Sequence, residues 1–316
     1  LADAITQLLN YHYNPPPVSR IWPPSYQTRL RLLLLPYQIA ILVLVVIPAL
    51  LAFSLAFFHY DALSPPQFAR LLNFRLIFTD ELFLLSVQHS LALVVVAVPL
   101  RVAGAFLLAR WLQHDGRLVQ WVRGAVYLPA VIPGAAYALI WLWVLNPLYG
   151  PLNALLQSVG LAPPAWLADG VWAKPGLVLA LLWQIGEGFL VSLAALYDMP
   201  PELEEAARVD GAGRTAVLRH IILPLIAPIL LLLTLRDVVL VLQNSFTAAY
   251  LMTQGGPYYT TYTLPQFIYE QGFDLFSFGT AAAALWVLYA LTGGLVVVLL
   301  IVARQWQVGA TEDYFL

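Results

Sequence analysis

Between Leu32 and Tyr60 the chain runs without one formally charged side chain. A helix crosses a bilayer with about 20 mostly apolar residues, so this stretch constrains the fold more than any other feature. The same reading repeats along the chain. It predicts span one at about 33–58, span two at 86–110, span three at 124–146, span four at 175–197, span five at 223–249 and span six within Leu275–Ala303. Only 10% of residues are charged and 61% are hydrophobic, whereas a soluble domain carries about 25% charged residues. The expected fold class is all-α: a polytopic membrane helix bundle of about six transmembrane helices.

Prolines and arginines organise the rest. Pro15, Pro16, Pro17, Pro23 and Pro24 resist helix formation, so residues 1–31 read as a proline-rich extended tail. The transmembrane domain is expected over 32–306, with a short tail at 307–316. The N-terminus does not read as a cleaved signal peptide, because no small-residue cleavage site follows an early apolar run. Arginine and lysine near span ends set orientation. Ten fall on one side: Arg20, Arg29, Arg31, Arg110, Arg117, Arg123, Arg208, Arg214, Arg219 and Arg304. Three fall on the other: Arg70, Arg75 and Lys174. That asymmetry predicts both tails and the 198–224 loop in the cytoplasm of a multi-pass membrane protein.

With no cysteine in the chain, disulfides, thiolate metal sites and cysteine nucleophiles are excluded. The five histidines never stand four residues apart, which argues against a histidine metal site. Neither HExxH nor GxSxG is present, and Lys174 precedes Pro175 rather than completing a phosphate-binding loop. No catalytic residue, metal, bound cofactor or nucleic-acid partner is expected.

The loop between spans four and five carries the densest signal. Pro200 and Pro201 suit a helix start, and Glu202, Glu204 and Glu205 favour its dipole. Gly211 and Gly213 permit a reversal. Thr215 to His220 can form a second short helix, and Pro224 fits the start of span five. The spacing of Glu205-Ala206-Ala207, Asp210-Gly211-Ala212 and Ile221-x-Leu223-Pro224 resembles the loop motif of carbohydrate-importer permeases of the ABC transporters, the type I, binding-protein-dependent kind. Leu218 departs from the frequent Phe of that motif but keeps an apolar side chain. Leu32–Tyr37 with Ile47-Pro48, Tyr127-Leu128-Pro129, Asn146–Gly150, and Thr253–Pro257 with Phe278-Gly279 extend the resemblance over roughly residues 30–306.

The resemblance implies a cytoplasmic coupling helix in which Glu205 pairs with a basic group on an ATPase, Ala206 and Ala207 allow close approach, and Gly211 turns the chain. It further implies two ATP-binding subunits using ATP and Mg, a second homologous permease, an extracytoplasmic substrate-binding protein and a sugar substrate.

Charged groups inside spans are costly and face a cavity or a partner. Asp237, Val241 and Asn244 share one face of span five, and Gln184 and Glu187 neighbour each other in span four. With Trp183, these residues fall where the resembling sugar permeases line their central substrate site, and they are the candidate substrate path that the resemblance implies. The competing reading makes Glu187, Arg236 and Asp237 structural ion pairs. Arg101 in span two stays open between snorkelling, pairing with Glu187 and facing a partner. The same charges also fit an ion-coupled secondary transporter; an intramembrane enzyme and a membrane scaffold are the remaining classes.

Overall fold

The computed structural model describes residues 24–312. The expected tail residues 1–23 and 313–316 lie outside the described residues. Two compact units divide at Ala52 and Phe53.

The first unit holds α1 (Pro24–Ile41), a π-helical turn over Leu42–Val46, and the start of α2 (Ile47–Ser54). Among the described residues helix runs from Pro24, and the expected extended tail is corrected over 24–31. Proline is tolerated in a first turn, where its missing N–H has no acceptor to lose. The next proline comes only at Pro36. The ring of Pro48 would press on the carbonyl four residues back. The wider π-turn covers that carbonyl's residue, Leu44, and makes room. Leu33 and Leu44 are 77% and 73% exposed, as suits a helix whose backbone bonds are internal and whose surroundings are hydrocarbon.

In the second unit a 3-10 turn at Leu55–Phe57 leads into a small hairpin. Its strands β1 (Phe58–His59) and β2 (Gln67–Phe68) pair antiparallel, Phe58 opposite Phe68. Asn73, buried in α3 (Leu72–Thr79), donates to the carbonyls of Ala56 at 2.9 Å and Phe58 at 2.8 Å. It thereby satisfies the end of span one. Gly279 sits against this junction so tightly that a Cβ would lie 2.6 Å from the Asn73 amide.

Asp80 caps α4 (Glu81–Trp111), accepting from Leu82 N at 2.8 Å. Then come α5 (Arg117–Val131), α6 (Gly134–Val144), α7 (Pro151–Ser158), α8 (Ala173–Trp183) and α9 (Gly186–Tyr197). The short α10 (Pro201–Val209) and α11 (Arg214–Val217) follow, then a π-turn at Leu218–Ile222 and α12 (Leu223–Thr253). The chain closes with α13 (Leu264–Tyr269), a π-turn at Glu270–Asp274 and α14 (Phe278–Glu312). The expected tail from 307 is thus helical as far as Glu312.

Four helical runs among the described residues are long and apolar enough to cross a membrane, and six if each bent pair counts as one span. The bent pairs correct two expectations of continuous spans. Span three breaks by 109° between α5 and α6. Ile132 precedes Pro133, which disfavours helical backbone at Ile132, and its ψ of 129° is extended. Span four breaks by 47° between α8 and α9. There Gly186 packs on α5 so closely that a Cβ would meet Tyr127 Cα at 2.9 Å.

Apolar packing forms two separate cores. One gathers Val98, Leu181, Val238 and Leu242 with residues of α6, α13 and α14. The other gathers Ala105, Phe189, Val217 and Ile226. On α4 the gap between them spans the turn at Arg101, on span four the α8–α9 break, and on α12 the turn at Arg236 and Asp237.

Candidate functional site

That gap is filled by charge. Arg101 and Asp237 have side chains only 7% exposed, and Arg101 Nε donates to Asp237 Oδ2 at 2.9 Å. The other Asp237 oxygen accepts from Arg236 Nη1 at 3.0 Å, and Arg236 pairs in turn with Glu187. The four groups form a neutral chain, Arg101–Asp237–Arg236–Glu187, that joins span two, span five and span four. Arg101 has a further task. Its two terminal nitrogens donate to the carbonyls of Leu181 and Gln184, the latter at 3.0 Å. These carbonyls lie at the end of α8, where the break leaves Leu181 O only the Gln184 N–H, at 3.4 Å, and gives Gln184 O no backbone donor among the described residues. A guanidinium, with five donors in a rigid fork, satisfies a broken helix end and a carboxylate together. Arg101 therefore pairs with Asp237 rather than with Glu187, and it does not snorkel.

The structure separates the six candidate path residues into two sets. Asp237 and Val241 are buried, at 5% and 3% exposure. Asn244 is exposed on the same helix, so the shared face of span five runs from the core to the surface. Trp183 is 59% exposed and stacks edge-on against Trp141, with centroids 6.3 Å apart. Glu187 is half-exposed and Gln184 half-buried. Trp183, Gln184 and Glu187 thus gather at the α8–α9 break with Asp237 behind them, bridged by Arg236. Among these residues the structural ion pairs are real, and one end of their chain is open.

The loop between spans four and five folds as the reversal read from its residues. Gly211 adopts φ +85°, a conformation that strains any residue with a Cβ. Gly213 sits at −69° and needs no such freedom. The expected second short helix does not stand apart. Arg214–Thr253 is one helical run of 40 residues, and Pro224 lies inside it. The π-turn covers His220, the carbonyl Pro224 would otherwise strike.

Helix α10 has two faces. Glu204 and Ala207 face inward: Glu204 Oε2 accepts from Arg110 Nη2 at 2.9 Å, and Ala207 packs on the second core with Ala212, Leu218 and Leu223. Glu205, Ala206, Val209 and Asp210 are exposed, Val209 at 87%. Ile221 is half-buried and Pro224 exposed. The Arg110–Glu204 pair escaped the sequence reading, because nothing in the spacing ties the end of span two to this loop.

The motif residues of the opposite loops are structural. Asn146 Oδ1 accepts from Leu148 N at 2.9 Å, and Asn153 accepts from Trp166 Nε1 at 2.8 Å. Gly255, at φ +81°, leaves room for Tyr262 and Gln266. Burial pushes the Tyr262 phenol up, and its hydrogen bond to Glu270 pushes it further. In the loop before β2, Asp61 accepts from Leu63 N, Ser64 N and Ser64 Oγ. These bonds, led by those from Ser64, lower its pKa to about 2.

Residues 101–309 match the family described as binding-protein-dependent transport system inner membrane component. The chain belongs to this family. It is an ABC importer permease, a multi-pass inner-membrane protein built from membrane-spanning helices. The permease is 31% identical over 276 residues to the probable ABC transporter permease protein YesP of Bacillus subtilis (strain 168), covering 86% of this chain and 89% of that one. It is 29% identical over 268 residues to the sulfoquinovosyl glycerol transport system permease protein SmoG of Agrobacterium fabrum, covering 83% and 85%. In fold it matches a crystal structure of a bacterial ABC transporter involved in the import of the acidic polysaccharide alginate. The TM-score is 0.75 at 24% identity, over 89% of this chain and 96% of that one.

Proposed function

We propose that this permease forms the translocation path for a sugar or sugar derivative and is driven by ATP hydrolysis on partner subunits. The observation that carries this reading is mechanical. The exposed face of α10 continues, through the Gly211 turn, into one 40-residue helix that reaches the charged layer at Arg236 and Asp237. At 1.5 Å per residue such a helix spans roughly 60 Å. A push on α10 therefore arrives as a displacement of Asp237 against Arg101 and of Arg236 against Glu187.

On this reading Glu205, Ala206, Ala207, Asp210, Gly211, Ala212, Ile221, Leu223 and Pro224 make the coupling element. Glu205 and Ala206 touch the ATPase, while Ala207, Ala212 and Leu223 anchor the element to the bundle. The permease domain covers 32–306, its coupling loop 198–224. The arginine asymmetry supports a cytoplasmic side for that loop and both termini, in the inner membrane of a bacterial or archaeal cell. Two ATP-binding subunits consume ATP with Mg, and this chain hydrolyses none. A second homologous permease completes the path, and an extracytoplasmic binding protein delivers the substrate.

Trp183, Gln184, Glu187 and Asn244 line the path, with Asp237 and Val241 supporting from behind. An indole face suits the apolar face of a sugar ring, and amide and carboxylate groups meet its hydroxyls. The charge-neutral layer fits a hydroxyl-rich cargo. The relative SmoG belongs to a sulfoquinovosyl glycerol system, which supports a sugar-derivative class.

The test is uptake by the complete complex in proteoliposomes. ATP-dependent uptake that survives a protonophore supports the importer. Uptake abolished by the protonophore, with ATP intact, would favour an ion-coupled transporter instead.

A further inference from the structure

Beside the coupling element, a cavity of about 510 Å³ opens between the end of α4, α10 and the start of α11. Arg110, Arg208 and Arg214 line it, with Leu107, Trp111 and Leu218 as apolar wall. We propose that this cavity binds the phosphate headgroup of an anionic phospholipid.

The charge balance leads there. Arg110 and Arg208 share a single carboxylate oxygen, Glu204 Oε2, at 2.9 and 3.2 Å. Arg214 is exposed and has no ion pair among the described residues. Three guanidiniums thus meet one carboxylate, and the unspent charge is two. Guanidinium donors match phosphate oxygens in geometry as well as charge.

Position selects a lipid rather than a soluble anion. Trp111 ends one candidate span and Arg214 begins another, so the cavity opens where two membrane-crossing helices end. Trp111 is 72% exposed and Leu107, one turn deeper, 57%. A soluble phosphate gains nothing from such a wall, whereas the glycerol and upper acyl carbons of a phospholipid continue along it. Basic pockets between spans at this level hold anionic headgroups. A bound headgroup would tie Arg208 of α10 to Arg110 of α4, so the lipid would brace the coupling helix against the bundle.

The experiment uses the complete complex, reconstituted with phosphatidylcholine alone or with added phosphatidylglycerol, and native mass spectrometry to count retained lipid. The wild type is expected to retain phosphatidylglycerol over phosphatidylcholine. Arg214→Ala is expected to weaken that retention about fivefold, the share of one arginine near an anionic surface, and Arg214→Lys to lose less. Unchanged retention in Arg214→Ala overturns the proposal. So does displacement of the lipid by inorganic phosphate, which would mark a soluble-anion site. Crosslinking of Arg214→Cys, in a chain with no other cysteine, to an ATPase subunit in place of lipid also overturns it. Lipid retention does not require transport, so the importer reading can stand where this one fails.

Discussion

The charged layer makes a demand that a double-mutant cycle can read. In Asp237→Met, Arg101 keeps its bonds to the Leu181 and Gln184 carbonyls but loses its only carboxylate among the described residues, in a site where its side chain is 7% exposed. Breaking a buried ion pair from one side costs about 3–5 kcal/mol. Arg236 also loses a partner, but it is a third exposed and retains Glu187, so it adds about 0–1 kcal/mol. In Arg101→Met, Asp237 keeps Arg236 and Leu181 O keeps the Gln184 N–H, yet the Gln184 carbonyl at the α8–α9 break loses its donor. An unsatisfied buried acceptor costs about 1–3 kcal/mol, and with the buried ion pair broken from its other side this variant too loses about 3–5 kcal/mol. The double variant has no unpaired charge in the layer from these two positions. A buried pair replaced by apolar groups is often neutral, which leaves chiefly the Gln184 carbonyl, about 1–3 kcal/mol. The singles thus sum to about 6–10 kcal/mol and the double falls about 3 or more short of that. Unfolding of the purified permease by denaturing detergent, followed by circular dichroism, measures each corner. A cycle that closes to within about 0.5 kcal/mol would refute the coupling.

Three further outcomes follow from particular positions. Gly211→Ala has open space around its Cβ, so its cost is conformational: about 1–2 kcal/mol for a left-handed non-glycine residue, seen as a lowered melting temperature, with Gly211→Asn milder. Gly186→Ala puts a methyl 2.9 Å from Tyr127 Cα. That should push α9 from α5 at about 1–3 kcal/mol, read by melting; wild-type stability would show that the two helices are free to separate. Asp61 bears on pH. Its folded pKa of about 2 lies below the ordinary carboxylate value, so its turn is stabilised above pH ~3.9 and that stabilisation is lost as pH falls through about 2. The Asp61 carboxyl carbon shift should titrate near pH 2, and Ser64→Ala should raise that midpoint, since the Ser64 hydroxyl supplies its largest contribution while the backbone N–H remains.

Much of this was legible because membrane helices obey few rules. Uncharged length placed the spans, and Gly211 announced its turn because a left-handed residue wants glycine. The two broken spans were harder to see. Apolar length registers residues 124–146 and 175–197 as unbroken, and only Pro133 and Gly186 hint otherwise. The charged layer was half-visible. Arg101 demanded a partner, but periodicity aligns Asp237 with Asn244 on one face and says nothing of depth. Burial put Asp237 with Arg101 and left Asn244 at the surface. The merging of α11 with α12 was hidden because Pro224 reads as a helix start. A π-turn lets it sit inside a helix instead.

The central claim is that force enters through the exposed face of α10. The most direct measurement is ATP-dependent uptake, with subunit co-purification, of the complex carrying Glu205→Lys, which reverses one charge on that face and leaves the inward Glu204 pairs untouched. The account predicts that uptake falls to background, either with ATP hydrolysis continuing uncoupled or with the ATPase no longer co-purifying. Normal uptake together with normal co-purification would contradict it.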